Sequence, residues 1–307
     1  MKGRVRTSVV IASRDRPREL LACLRSVQAA ISPSDEIIVV DSASRDSSAT
    51  RAIANCVGAT LLRSELPGSA RARNLGVASA RGEFIAFTDD DARVDADWIQ
   101  SAAKRFRDAA VAAVVGPVYA ADVVPETPLF EFGAFDVSKD VVVFNRSAAN
   151  WFSRVRLGAI GSGANLHVRR TAFEQHGLFR ESLGAGAPII GDENYFLLSL
   201  IEGGATVVHD PRTRVLHPTQ SLERLKEVRL SYLAYVLYVF VTRGEIRSKV
   251  AVSFLRGLRR ERSFGLKPAR SIPLSEIVIA AWRAPRLVIA ARQIDRRCSI
   301  PSLRLER

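Results

Sequence analysis

Cysteine is scarce in this chain of 307 residues, which contains three, all far apart in the sequence. They are Cys23, Cys56 and Cys298, and no two of them form a CxxC pair. This spacing argues against a zinc ribbon, a dithiol redox site or a disulfide framework. The hydrophobic content of 47% is enough to build an ordinary core without such cross-links. We therefore expect a globular protein of a reducing compartment.

Long hydrophobic runs are also missing. No window reaches the roughly 18 uninterrupted apolar residues that indicate a membrane-spanning helix. The N-terminal segment Met1–Ile11 lacks the apolar stretch of a signal peptide, since the apolar run that begins there, Val9–Ala12, is four residues long. We expect a protein that is neither exported nor transmembrane, in the cytoplasm and at most peripheral on the inner face of the cell membrane.

The formal charge of +13 is spread very unevenly. Residues 1–218 contain 26 basic and 25 acidic side chains, whereas residues 219–307 contain 19 basic and 7 acidic ones. A uniformly basic nucleic-acid-binding protein would not divide in this way. The distribution predicts a near-neutral catalytic domain over 1–218 and a basic helical extension over 219–307, and it makes nucleic acid an unlikely partner.

Apolar, β-branched runs alternate with amphipathic helical segments in the first 90 residues, and a fifth apolar run follows at Val111–Val118. This alternation predicts an α/β fold with a mostly parallel sheet flanked by helices. The predicted strands are Ser8–Ala12, Glu36–Val40, Ala59–Arg63 and Glu83–Phe87, and the predicted helices are Pro17–Ala30, Ser47–Asn55 and Ser69–Ala80.

Acidic residues follow three of the predicted strands, where ligands of parallel sheets usually bind. They occur in Ser13-Arg14-Asp15, in Asp41-Ser42 and in Asp89-Asp90-Asp91. Neither GxGxxG after the first strand nor GxxxxGK[ST] occurs, which argues against a dinucleotide dehydrogenase and a P-loop NTPase. Consecutive carboxylates favour a divalent cation that also holds a diphosphate. The alternative is a solvated loop that caps the next helix.

Several sequence blocks, in this order and spacing, resemble family 2 glycosyltransferases of the GT-A fold. They are VVIASRDRPRELLACLRSV, DEIIVVDSASRDSS, GSARARNLGVASARGEFIAFTDDDARVDADWI, GSGANLHVRRTAFEQHGLF, LGAGAPIIGDENYF and VVHDPRTRVLH. The resemblance covers roughly Val5–His217. It implies an inverting, nucleotide-sugar-dependent enzyme with a nucleotide-binding half at about 1–120 and an acceptor-binding half at about 121–218.

The resemblance also implies roles for individual residues in binding the donor. Ser13, Asp15 and Asp41 would line the pocket of the nucleotide base, although Asp15 is also a candidate cap of the helix that starts at Pro17. Asp89-Asp90-Asp91 resembles the DxD motif of this family, with Asp89 and Asp91 at its two aspartate positions. Asp89 and Asp90 would then lie at the donor nucleotide, with Asp89 near its ribose, and Asp91 would bind Mn²⁺ or Mg²⁺. Arg73 and Asn74, with Arg71, would contact donor phosphates or ribose.

In the acceptor-binding half, the resemblance implies that Asn165 contacts the donor sugar. One of Asp192 and Glu193 would be the general base. Relatives usually have the order Glu-Asp and this chain has Asp-Glu, so the choice between the two stays open. His217 stands where many relatives place a histidine near the metal ion, and an imidazole is an acceptable Mn²⁺ ligand.

The basic extension contains three helix-like segments, Ser221–Val241, Lys249–Arg262 and Ile277–Ala291. In Lys249–Arg262, apolar and basic residues fall on different faces of the helix, as in helices that lie on anionic lipid. Packing on the catalytic domain or on a second subunit is the alternative, and the oligomeric state stays unknown.

The main hypothesis is a metal-dependent inverting glycosyltransferase that uses a nucleotide-diphosphate sugar, with a UDP-sugar favoured. The acceptor would be a glycan or a lipid-linked hydroxyl, in surface polysaccharide or glycolipid synthesis. The alternatives are a nucleotidyltransferase acting on sugar phosphates and a non-catalytic protein that binds membrane or nucleic acid.

Overall fold

The structure, a computed structural model, describes residues 6–122, 129, 136–147, 160–219, 222–244, 248–249 and 274–298. Almost all of the predicted helix Lys249–Arg262 lies outside these residues. The strands are β1 (Thr7–Ser13), β2 (Glu36–Ser42), β3 (Thr60–Ser64), β4 (Phe84–Asp89), β5 (Arg93–Val94), β6 (Val111–Val115), β7 (Val118–Ala120), β8 (Val142–Phe144), β9 (Leu166–Arg169), β10 (Thr206–His209) and β11 (Val215–His217). The helices are α1 (Pro17–Ala30), α2 (Ser48–Cys56), α3 (Ser69–Ser79), α4 (Trp98–Arg105), α5 (Arg170–His176), α6 (Asp192–Glu202), α7 (Leu222–Thr242) and α8 (Leu274–Arg297).

Eight of the described strands form one sheet in the order β3-β2-β1-β4-β9-β6-β10-β8. Strands β1 to β4 pair in parallel, as do β6 and β10, while β9 and β8 run antiparallel to their neighbours. The β1, β2 and β4 sequences are nearly continuous apolar runs, since helices cover both faces of a parallel sheet. The predicted α/β class with a mostly parallel sheet is confirmed.

Most predicted elements of the first half agree with the structure to within two residues. The apolar run Val111–Val118 does not form a single strand, because it is divided into β6 and β7. Pro117 has no backbone N–H for a strand ladder, and a Cβ at Gly116 would overlap Thr213. The chain therefore leaves the large sheet at this point.

Strands β5, β11 and β7 form a second, small sheet. Strand β11 lies between the other two, antiparallel to β5 and parallel to β7. Because β5 begins only four residues after the end of β4, this small sheet brings His217, the last residue of β11, to the carboxyl end of β4.

Helices α7 and α8 pack against the part of the fold that contains the large sheet instead of extending from it. Buried residues of α7, including Tyr235 and Tyr238, and of α8, including Val288, belong to the same hydrophobic cluster as the sheet residue Phe87. One face of the basic extension therefore completes the core. Within the described parts of the chain, none of the helices combines the length and hydropathy that a bilayer crossing requires.

Candidate active site

Asp89, Asp91 and His217 form a cluster at the carboxyl end of β4. One ligand atom from each lies within 4.8 Å of the other two. His217 Nε2 is 3.1 Å from Asp91 Oδ1 and 3.7 Å from Asp89 Oδ2. Two carboxylate oxygens and one imidazole nitrogen are a donor set that suits Mn²⁺ and is acceptable to Mg²⁺. The predicted metal ligands Asp91 and His217 are thus neighbours in space, and Asp89 is the third.

The orientation of His217 fits a ligand role. Its Nδ1 lies 2.7 Å from the carbonyl oxygen of Pro218, and donation of Nδ1–H to that oxygen leaves Nε2 directed at the two carboxylates. Burial disfavours the charged imidazole, but the hydrogen bond to Asp91 and the charges of both carboxylates outweigh burial and raise the pKa of His217 to about 9. The cluster therefore attracts positive charge strongly, whether as a proton or as a metal ion.

Asp90 turns away from this cluster. Its carboxylate accepts a hydrogen bond of 2.8 Å from Ser13 Oγ, and its side chain is buried. Burial, the largest effect, raises the pKa of Asp90 to about 6. Ser13 and Asp90 are thus bonded to each other, and their contacts with the donor nucleotide stay predictions.

Arg16 also belongs to this site, although its role was not predicted from the sequence. Its guanidinium lies 2.7 Å from Asp91 Oδ2 and 3.4 Å from Asp90 Oδ1. Its position alone could have indicated the contact: Arg16 follows the end of β1 by three residues, and that end lies beside the end of β4. Arg16 is exposed enough to reach an anionic ligand as well as the carboxylates.

Arg73 connects the metal-binding cluster to the candidate base. It is buried, with one guanidinium nitrogen 2.6 Å from Asp192 Oδ2 and another 3.2 Å from Asp89 Oδ1. Glycines allow the backbone to come close to this pair: a Cβ at Gly163 would lie 2.6 Å from the Arg73 guanidinium, and one at Gly184 would lie 2.7 Å from Asp192 Oδ1. Arg73 therefore pairs with two carboxylates, and its contact with a donor phosphate or ribose stays a prediction.

Asp192 and Glu193 lie in the first turn of α6, whose positive end favours carboxylates. Asp192 is buried, and its carboxylate forms an ion pair with Arg73. Glu193 keeps more exposed surface; its carboxyl group lies within hydrogen-bonding reach of the Asp192 carboxyl group and accepts a long hydrogen bond of 3.5 Å from Asn194. Burial of its carboxyl group, followed by the charge of Asp192, raises the pKa of Glu193 well above its ordinary value. Of the two, Asp192 pairs with Arg73, whereas Glu193 is the carboxyl group whose raised pKa favours uptake of a proton.

Asp15 and Asp41 contact the same loop after β2. Asp41 accepts the Ser44 backbone N–H at 2.9 Å, and the Asp15 backbone N–H donates to Ser44 Oγ at 3.0 Å. Asp15 also accepts from the Arg45 backbone, and the cap residue of α1 is Arg16, so Asp15 does not cap that helix. The structure therefore places both predicted base-pocket residues at one corner of the rim.

Arg63 is a second residue that the sequence analysis missed. Its guanidinium pairs with the fully buried carboxylate of Asp41 and donates to the Ser44 carbonyl at 3.1 Å. Asp41 and Arg63 are register partners on β2 and β3, so correct strand alignment would have predicted the contact. A ligand that binds Asp41 must therefore share the Asp41 carboxylate with the Arg63 guanidinium.

Asn74 and Asn165, for which ligand contacts were predicted, both make hydrogen bonds within the protein. The Asn74 amide donates to the Phe179 carbonyl at 2.9 Å and accepts the Phe179 N–H at 3.0 Å. Asn165 is fully buried; it accepts from Trp98 Nε1 at 2.9 Å and donates to the carbonyls of Pro117 and Thr213. Both N–H groups of Asn165 are used, so the geometry does not support a sugar contact.

Replacing Asn165 with alanine is expected to lower the free energy of unfolding by about 3 kcal/mol, because a buried indole N–H and two carbonyls lose their partner. Chemical denaturation would measure the loss, with the less buried Asn145→Ala as the matched control. A variant of normal stability that binds the donor poorly would contradict this structural role.

The fold class follows from comparison with solved structures. The mannosyltransferase PcManGT from Pyrobaculum calidifontis, in complex with GDP-Man and Mn²⁺, aligns with 95% of this chain and 87% of its own, at 18% identity and a TM-score of 0.56. S. aureus TarS 1-349 in complex with UDP-GlcNAc aligns with 95% of this chain and 83% of its own, at 17% identity and a TM-score of 0.59. The fold is thus that of the GT-A glycosyltransferases, as predicted.

Sequence comparison gives the family. The family described as Glycosyl transferase family 2 matches residues 8–175, more than half of the chain, and the chain belongs to that family. A succinoglycan biosynthesis protein, ExoM of Rhizobium meliloti (strain 1021), is 27% identical over 201 residues, 65% of this chain and 58% of that protein. A pre-mycofactocin glycosyltransferase of Mycobacterium tuberculosis (strain CDC 1551 / Oshkosh) is 29% identical over 150 residues, 49% of this chain and 30% of that protein. The chain spans less than two thirds of the length of either relative.

Proposed function

We propose that this protein transfers a sugar from a nucleotide-diphosphate sugar to an acceptor hydroxyl, with inversion at the sugar carbon and with the help of a divalent cation. The observation that carries the proposal is the position of Arg73. A single buried guanidinium contacts Asp89 of the metal-binding cluster and Asp192, the neighbour of Glu193. The candidate diphosphate site and the candidate base therefore belong to one site.

Asp89, Asp91 and His217 would hold Mn²⁺ or Mg²⁺, and their fit is supported by donor atoms within 4.8 Å of one another. A bound cation would neutralise charge that develops on the departing diphosphate. Arg16, which contacts Asp91, lies where it would add positive charge beside the same group. These residues orient the donor and stabilise its leaving group.

Glu193 would accept the proton of the acceptor hydroxyl as the general base. Because its pKa is raised, Glu193 is a better proton acceptor than an ordinary exposed glutamate, provided that the pH is high enough to keep it ionised. Asp192 would not be the base, since its carboxylate neutralises the buried Arg73. Its role is to fix the start of α6.

The proposed donor is a UDP-sugar, with Asp15 and Asp41 beside its base. UDP-GlcNAc and GDP-Man, which are bound in the TarS and PcManGT complexes, are the first two donors to test. The relative named for succinoglycan biosynthesis supports a glycan or lipid-linked acceptor in surface polysaccharide or glycolipid synthesis. An anionic membrane surface is a further proposed partner, reached from the cytoplasm.

A screen of nucleotide-sugars with Mn²⁺ and Mg²⁺ tests the proposal. We expect one donor to release a nucleoside diphosphate and transfer its sugar with inverted anomeric configuration, and we expect a chelator to stop the release and added Mn²⁺ to restore it. Product analysis by NMR gives the configuration. Release of pyrophosphate would indicate a nucleotidyltransferase, and turnover that survives chelation would refute the metal-dependent reaction.

A further inference from the structure

Helix α8 presents an apolar face to solvent. Trp282 is 63% exposed, Val278 60% and Ile289 59%. At 100° per residue these three positions lie within about 40° of one another around the helix axis. They form a narrow strip of large apolar side chains that are exposed to water. We call this strip, with the arginines beside it, the α8 face.

Arginines border the strip. Arg283, Arg286, Arg296 and Arg297 are all exposed, and the Arg286 guanidinium lies 3.9 Å from the centre of the Trp282 ring. Asp295, an acidic residue of the same helix, turns inward and accepts hydrogen bonds of 2.7 Å from Ser182 Oγ and Tyr238 Oη. The described part of the α8 face therefore combines exposed apolar groups with a strong positive charge.

The opposite side of α8 is firmly attached to the catalytic domain. Ala284, Val288 and Ala291 are buried in the main hydrophobic cluster. Asp295 joins α8 to Ser182, in the loop that leads to Gly184 beside Asp192. The α8 face is thus held in a fixed orientation, and its anchor is close in sequence and in space to the start of α6.

The chemistry of the α8 face fits an anionic lipid surface. Exposed tryptophan and aliphatic side chains enter the interface between headgroups and acyl chains, while arginines pair with phosphates. A second copy of the chain fits poorly, because two-fold pairing of this face would bring the arginines of one copy against those of the other. We propose that the α8 face, centred on Trp282 and flanked by Arg283 and Arg286, docks the protein on an anionic membrane.

The α8 face is the surface on which the membrane partner of the proposed function would bind, so this inference rests on that function. Vesicle binding is measured with neither donor nor acceptor, so either proposal can fail while the other stands. The full chain is sedimented with vesicles of phosphatidylcholine alone and of phosphatidylcholine with phosphatidylglycerol. We expect binding to the anionic vesicles, weakened by added salt.

Two variants test the α8 face itself. Reversal of the arginine charges in R283E/R286E is expected to reduce partition onto anionic vesicles by roughly tenfold or more. R25E/R51E makes the same change of charge on exposed residues of α1 and α2 and is the matched control. Trp282→Ala is expected to weaken binding and to remove a blue shift of tryptophan emission on vesicle addition, whereas Leu66→Ala, at a 56% exposed leucine, is expected to change neither.

The circular dichroism spectra of all variants verify that they are folded. Equal binding by wild type, R283E/R286E and Trp282→Ala, or no binding to anionic vesicles, would overturn the proposal. A wild-type dimer that Trp282→Ala separates, without vesicle binding by either, would instead assign the face to a second copy. Binding of wild type to an acidic protein but not to vesicles would overturn it in favour of a protein partner.

Discussion

Asp91→Asn is expected to reduce sugar transfer by about a thousandfold or more, without unfolding the protein. The substitution removes a charged ligand from the Asp89, Asp91 and His217 cluster and a carboxylate that contacts Arg16. Loss of metal-assisted charge stabilisation on the leaving diphosphate is worth several kcal/mol, and each 1.4 kcal/mol corresponds to about a factor of ten in rate.

The measurement is the rate of nucleoside diphosphate release over a range of Mn²⁺ concentrations. Asp46→Asn is the matched control, because Asp46 is an exposed acidic residue whose described contact is with the Ser48 backbone. A folded Asp91→Asn protein with normal turnover at ordinary Mn²⁺ would show that this aspartate does not hold the ion. His217→Gln would then be the next position to test.

Glu193→Gln is expected to lower kcat by on the order of a hundredfold to ten-thousandfold, while donor binding stays unchanged. Glutamine has nearly the same shape but accepts no proton from the acceptor. Asp192→Asn should behave differently, because it leaves the buried Arg73 without its closest carboxylate. That loss is expected to cost about 3 kcal/mol of folding free energy.

The pH profile separates the two carboxylates further. A general base works only when ionised, so wild-type kcat should fall as the pH drops through the pKa of Glu193. Because burial raises that pKa, the fall should lie closer to neutral pH than the value of about 4.3 for an ordinary glutamate. Full activity of Glu193→Gln, or a larger kcat loss in Asp192→Asn of equal stability, would reverse the assignment.

The sequence was sufficient to predict the fold and the edge of the sheet at which the candidate site residues meet. Strand periodicity placed β1, β2 and β4 correctly, and parallel strands bring their carboxyl ends to one edge, which is why Asp41 and Asp89 were predicted to face a common rim. Side-chain contacts were harder to predict. Arg16 and Arg63 have no motif, and their partners become visible only when neighbouring strands are aligned.

The two asparagines show what a motif position leaves undetermined. Asn74 and Asn165 occur in blocks that resemble donor-binding segments, but a buried amide must satisfy its own hydrogen bonds. In the fold, the nearest available groups are backbone atoms of Phe179, Pro117 and Thr213. Sequence spacing carries no information about which backbone groups will lack partners.

Arg73 contacts Oδ1 of Asp89, whereas His217 faces Oδ2, so one carboxylate serves both the guanidinium and the cluster with His217. A cation bound at Oδ2 would draw negative charge from that carboxylate, weaken its contact with the guanidinium and favour the Arg73–Asp192 pair. Binding free energies are reciprocal, so any event at the start of α6 that strengthens the Arg73–Asp192 pair would tighten metal binding by the same factor. Acceptor binding beside Glu193 and metal affinity at the β4 terminus would then be linked quantities, with one arginine as the element that responds to both.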